Sequence, residues 1–146
     1  MIIKRIALTI CAIFSASSLQ AIAAEKADID AGASSYAVYC ASCHGSAGKG
    51  DGPMLKSLKS TPTDLTTLAR ANKGIFPEDK VRAVIDGRNN VQSHGTGEMP
   101  IWGDMLTFES TGGGVALDEE PEEVERLVEE RINQLVGYVQ TLQKNN

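Results

Sequence analysis

Apolar residues at the C-terminal end, Val124, Leu127, Val128, Leu135, Val139 and Leu142, recur at helical spacing with Glu and Arg between them. That period predicts an amphipathic terminal helix of about five turns, entered through Asp118 and Pro121. Nearer the start, Asp30 is placed to cap a helix running to about Ser42, with Ala33, Tyr36, Ala37 and Cys40 on one face. Between these two, Pro77 to Asp86 opens with Pro, Glu and Asp and is closed by Gly87, which predicts a short third helix. The stretches 45–53, 60–66 and 89–103 read as loop. No window alternates with period two and there is no internal repeat, so the expected class is all-α with long ordered loops. Loops of this length have no core of their own, which predicts a bound group that supplies one.

Residues 1 to 23 carry a different pattern. Lys4 and Arg5 precede the apolar run Ile6 to Phe14, and small residues follow, ending in Ala21 and Ala23. This is the layout of a secretory signal peptide, with the mature start expected at Ala24 or at Glu25. The apolar run is about half the roughly 20 residues a membrane helix requires, so no span is expected after cleavage. Cys11 leaves with the leader, and Ile10 before it is too bulky for a lipoprotein cysteine site. Residues 24–146 are then short enough for a single domain, exported to the periplasm.

Charge narrows the partners. The chain has 19 acidic and 14 basic residues, a formal charge of -5, and losing Lys4 and Arg5 makes it more negative still. Binding a phosphate backbone needs clustered Lys and Arg. The densest run here, Asp118 to Glu130, is acidic, which excludes nucleic acid as a partner. It reads first as a solvated helix face and second as a docking surface for a basic partner.

The candidate chemistry is concentrated in Cys40, Ala41, Ser42, Cys43 and His44. C-x-x-C-H is the arrangement that attaches a c-type haem. Two thiols three residues apart reach the two vinyl groups on one porphyrin edge, and the adjacent imidazole reaches the iron. Three other readings compete. Two cysteines in an oxidising compartment can pair as a disulfide. A redox-active C-x-x-C is expected beside a βαβ pattern, which is absent. Zinc has four nominal ligands in Cys40, Cys43, His44 and His94, but the adjacency of Cys43 and His44 strains a tetrahedral site. The glycine-rich stretch Gly45 to Pro53 lacks phosphate-loop spacing and follows a helix, so it reads as backbone that passes close under the ring.

A second axial ligand of the Met type raises the potential of a cytochrome c, and three methionines lie beyond the leader. Met54 is only ten residues from His44. Met105 sits in an apolar stretch where core filling is the simpler role. Met99 precedes Pro100 in a segment without helical period, and Pro100 biases it toward extended, stiff backbone. Met99 is therefore the expected ligand. His94 is the alternative, giving a bis-histidine haem.

Together, YAVYCASCHG (36–45), GKGDGP (48–53), GEMPIWG (97–103) and LVGYVQTL (135–142) resemble a class I, mono-haem c-type cytochrome over essentially the whole region after the leader. The resemblance implies three to five helices and ordered loops around one haem c, held covalently by Cys40 and Cys43 and ligated by His44 and Met99. It implies that Gly32 on the first helix meets Tyr138 on the last, close to Tyr36. It implies that the carbonyl of Pro53 accepts a hydrogen bond from the His44 imidazole. Trp102, Arg70, Arg82 and Arg88 are candidate propionate contacts. The stretch from Thr107 to Pro121 is longer than the minimal family pattern and reads as a solvated connection or a partner-specific insertion.

The implied function is one-electron transfer between redox proteins, by a monomer and without catalysis. The alternatives are a dedicated electron-transfer subunit of a periplasmic dehydrogenase or oxidase, and a haem enzyme or gas-binding module with a labile sixth ligand.

Overall fold

The computed structural model describes residues 3–88, 99–113 and 120–144, with the backbone alone for residues 3–20. Helix α1 spans Ile3–Tyr39, α2 Ala41–His44, α3 Leu68–Ala71, α4 Glu78–Asp86, α5 Trp102–Ser110 and α6 Pro121–Thr141, with 3₁₀ turns at Pro53–Ser57 and Leu65–Thr67. No strand occurs among the described residues. The all-α expectation is met.

Helix α6 follows its sequence pattern closely. Pro121 occupies the first turn, where its missing N–H costs nothing, beside Glu122 and Glu123. Val124, Val128, Ile132, Leu135, Val136 and Val139 are buried. Leu106 of α5, Ile85 of α4 and Tyr36 of α1 complete the core with them. Thus α6 is the element on which α1, α4 and α5 all pack. The acidic side of α6 is exposed and internally paired: Arg126 binds Glu123 and Glu130.

Helix α1 does not begin where Asp30 predicts. Asp30 lies inside it, paired with Lys26, while its carbonyl accepts from the Ser34 hydroxyl. No Gly or Pro interrupts the preceding residues, so nothing stops the helix from extending upstream. Its inner face is Gly32, Ala33, Tyr36 and Cys40; Ala37 is exposed, contrary to expectation.

The crossing of α1 and α6 is close because Gly32 has no side chain. A Cβ there would overlap the Gln134 carbonyl oxygen and stand 3.0 Å from the Tyr138 Cβ. Tyr36 and Tyr138 then meet with ring centroids 5.1 Å apart, tilted at 52°. The pairing of Gly32 with Tyr138 is as expected.

Helix α4 ends as its sequence predicts: Gly87 takes φ 69° and its N–H returns to the Ala83 carbonyl. Helix α5 is unexpected. Its short run, WGDMLTFES, buries only Gly103 and Leu106, too few positions for a visible period. His94, Gly97, Gly114, Asp118 and Glu119 lie outside the described residues.

Candidate functional site

The haem-attachment motif is built on the end of α1. Cys40 donates its N–H to the Tyr36 carbonyl, and the N–H groups of Cys43 and His44 return to the Cys40 carbonyl at 3.1 and 2.8 Å. One helical turn therefore sets both thiols and the imidazole. The glycine-rich loop folds back onto it: Gly50 N–H reaches the His44 carbonyl at 2.8 Å, and Gly52 N–H the Cys43 carbonyl at 3.1 Å. A Cβ on Gly52 would overlap the carbonyls of Ser42 and Cys43. Two close approaches in this loop are to backbone, Gly52 to the motif turn itself and Gly50 to the Pro62 carbonyl. The Tyr36 hydroxyl locks the arrangement by donating to the Gly45 carbonyl at 2.7 Å.

His44 is 7% exposed, and its Nδ1 lies 3.1 Å from the Thr63 carbonyl. A carbonyl only accepts, so Nδ1 carries the proton and Nε2 keeps its lone pair. Burial pushes the ring pKa below its ordinary value, partly opposed by that hydrogen bond, which keeps the imidazole neutral. The acceptor corrects the expected one. Pro53 instead begins a 3₁₀ turn after Gly52, and the carbonyl that fixes the ring follows Pro62.

Thr63 is itself held in place. Asp64 caps the turn after it, accepting from the Thr66 N–H at 2.9 Å and the Thr66 hydroxyl at 2.6 Å. Gln143, past the end of α6, donates to the Leu65 carbonyl at 2.7 Å and accepts from the Ala69 N–H at 2.9 Å. Thr63, Asp64 and Gln143 carried no motif. The only local sign was the Asp-x-Thr turn signature.

Cys40, His44 and Met99 line one cavity of about 270 Å³, whose walls include Leu68, Val81 and Leu135. Met54 and Met105 are exposed on the surface and line no part of it. Of the three methionines, only Met99 shares a space with His44. Cys43 is half-buried on the same turn. Both thiols are free. Burial first, and Cys43 second, push the Cys40 thiol up to about 12. A thiol with so little thiolate does not suit a redox-active C-x-x-C, which depends on a lowered pKa. Among the described residues no group of three or more His, Cys, Asp or Glu side chains gathers as a metal site. Two half-buried thiols on one turn with an imidazole, one of them sharing an apolar-walled cavity with that imidazole and a thioether, fit a covalently attached haem better than a bare cation.

The candidate propionate contacts fall elsewhere. Trp102 packs on Tyr39, centroids 5.3 Å apart. Arg82 pairs with Glu78 on its own helix. Arg88 donates through Nη1 and Nη2 to the Glu125 carboxylate at 2.7 and 2.9 Å, and through Nε to Asp86. Arg82 and Arg88 line a second, polar cleft of about 430 Å³ with Glu125 and Glu129, and Arg70 is exposed. Lys80 and Asn72 join Tyr36, His44 and Thr63 as polar side chains that line the apolar cavity.

A further cluster joins three elements. The Tyr39 hydroxyl donates to Glu109 at 2.7 Å, and Arg131 donates to the same carboxylate at 2.8 Å and to the hydroxyl at 3.1 Å. Among the described residues no helix is long and apolar enough to cross a membrane.

A family model described as cytochrome c oxidase, cbb3-type, subunit III, matches residues 27–111. That span includes the motif turn, the Thr63 segment, α4, Met99 and α5. No curated protein and no solved structure matches the chain.

Proposed function

Because the chain belongs to the family of cytochrome c oxidase, cbb3-type, subunit III, and so is a c-type cytochrome carrying covalent haem c for electron transfer, we propose that it is a periplasmic one-electron carrier ligated by His44 and Met99. The observation that carries this reading is the shared cavity of Cys40, His44 and Met99. The haem iron supplies the one-electron couple; the chain's own residues tune and shelter it.

Each residue has a definable part. Cys40 and Cys43 anchor the group to the end of α1 through two thioethers. The Thr63 carbonyl orients His44 and makes its imidazole a stronger donor. The Met99 sulfur, a soft neutral ligand, favours the ferrous state. Leu68, Val81 and Leu135 line the cavity with apolar side chains and would shield the group from water, so that little solvent would reorganise as its charge changes. Held by both His44 and Met99, the iron would have no position left for oxygen or peroxide, which would separate a carrier from a haem enzyme. The leader pattern of residues 1 to 23 supports export to the periplasm.

Redox titration of the mature protein tests this reading. One reversible one-electron wave is expected, and carbon monoxide added to the reduced protein at neutral pH leaves the spectrum almost unchanged. Rapid carbon monoxide binding would identify an open iron and defeat the carrier reading.

A second reading has a specific observation behind it. The family description names a subunit of an oxidase, which supports a dedicated electron-entry role on one large enzyme. Stable co-purification with an oxidase supports that reading; recovery only as a free monomer supports the diffusing carrier.

A further inference from the structure

Arg88 stands where the backbone beyond Met99 returns to the helices. Ile101 lies across Gly87, where a Cβ would come within 3.2 Å of the Ile101 Cγ2 and 3.4 Å of its Cα. Gly103, buried in the first turn of α5, lies on Arg88 itself: a Cβ there would overlap the Asp86 carboxylate and crowd the Arg88 Cδ at 2.7 Å. Arg88 then reaches past this contact to α6 and grips Glu125 with both terminal nitrogens. The Arg88 side chain is 24% exposed and that of Glu125 50%. One side chain thus ties the end of α4, the start of α5 and the face of α6 together, two to four residues beyond Met99.

We propose that the Arg88–Glu125 pair is a positioning brace for Met99, holding the Ile101–Gly103 backbone against α4 and α6 so that the thioether stays at the iron. This rests on the reading of Met99 as ligand. A thioether binds weakly, and its occupancy depends on how firmly the surrounding shell fixes it. The planar fork of Arg resists rotation as well as separation, which a single ammonium contact does not.

The test uses the full holoprotein and reads carbon monoxide binding to the ferrous form, the sulfur-to-iron charge-transfer band of the ferric form, and the reduction potential. Glu125→Ala and Arg88→Gln are each expected to speed carbon monoxide binding roughly two- to five-fold, the factor a pair of this exposure can supply. They also weaken the band and lower the potential. Arg88→Lys falls between these and the wild type. Glu129→Ala, in the same cleft, leaves all three readouts unchanged.

Glu125 lies on an exposed helix face and Ala is a good helix former, so Glu125→Ala carries the test if Arg88→Gln fails to fold. Loss of thermal stability with all three readouts at wild-type values overturns the brace and leaves a merely structural ion pair. Met99→Ala separates the two failures. If it abolishes the band while Glu125→Ala does nothing, the brace alone is wrong. If it changes nothing, the ligand assignment is wrong and the brace falls with it.

Discussion

The Nδ1 of His44 donates to the carbonyl of Thr63 at 3.1 Å, 19 positions further along the chain. The bond depends on Asp64, which caps the turn that presents the carbonyl. Asp64→Ala is expected to cost about 1 kcal/mol of stability, the usual worth of such a cap. With His44 as the proposed iron ligand, the variant would also make it a poorer donor, which favours ferrous iron, so the potential is expected to rise. The rise stays below roughly 40 mV, since a hydrogen bond nets about 1 kcal/mol and about 59 mV corresponds to a tenfold equilibrium change for one electron. Redox titration alongside urea denaturation checks both signs.

Met99→Ala should remove the charge-transfer band, open the iron to carbon monoxide and lower the potential by a sizeable part of the roughly 0.8 V that axial ligands command. Met54→Ala and Met105→Ala, both at exposed positions, should leave spectrum and potential unchanged. Survival of the band in Met99→Ala, with its loss in either of the other two, would reassign the ligand.

Gly32→Val places its Cβ on the Gln134 carbonyl and against the Tyr138 Cβ, with two methyl groups beyond it. The main cost is separation of α1 from α6, about 1–3 kcal/mol by the usual penalty for overpacking. A melting-temperature drop of roughly 4–15 °C follows for a chain of this size. Gly74→Ala is a weaker control: it meets nothing within 4 Å and pays only for its positive φ.

The Glu109 carboxyl is held below its ordinary value of 4.5, first by the Tyr39 hydroxyl and then by Arg131, against the opposing effect of burial. A carboxyl whose folded pKa is depressed contributes stability that is complete above its unfolded pKa and lost as pH falls through the folded one. Stability should therefore decline below about pH 4.5, and less steeply in Glu109→Gln. Denaturation curves between pH 3 and 6 for both proteins provide the comparison; parallel curves would remove Glu109 from the account.

Much of this protein was open to reading without coordinates. The period of α6, the stop at Gly87 and the C-x-x-C-H turn each depend on residues within a few positions or on a motif with one strong chemical use, while the meeting of Gly32 with Tyr138 was implied by the family resemblance. Helix α5 was not legible, because a nine-residue element that buries two positions has no period to detect. Nor was the extent of α1, since Asp30 is as acceptable within a helix, paired to Lys26, as at its start.

What the sequence determined alone is the covalent chemistry: two thiols and an imidazole on one turn are local, and their spacing survives any packing of the rest. Tertiary structure decided which distant groups serve that turn. Thr63 rather than Pro53 accepts the hydrogen bond from His44, and Arg88 turns away to Glu125, whereas Met99 lines the His44 cavity as its loop and Pro100 had pointed. The reason is physical. A carbonyl is present at every residue and a guanidinium at several, so residue type alone cannot say which carbonyl meets the imidazole or which arginine is already taken; only the packing of α1, α4 and α5 on α6 decides that.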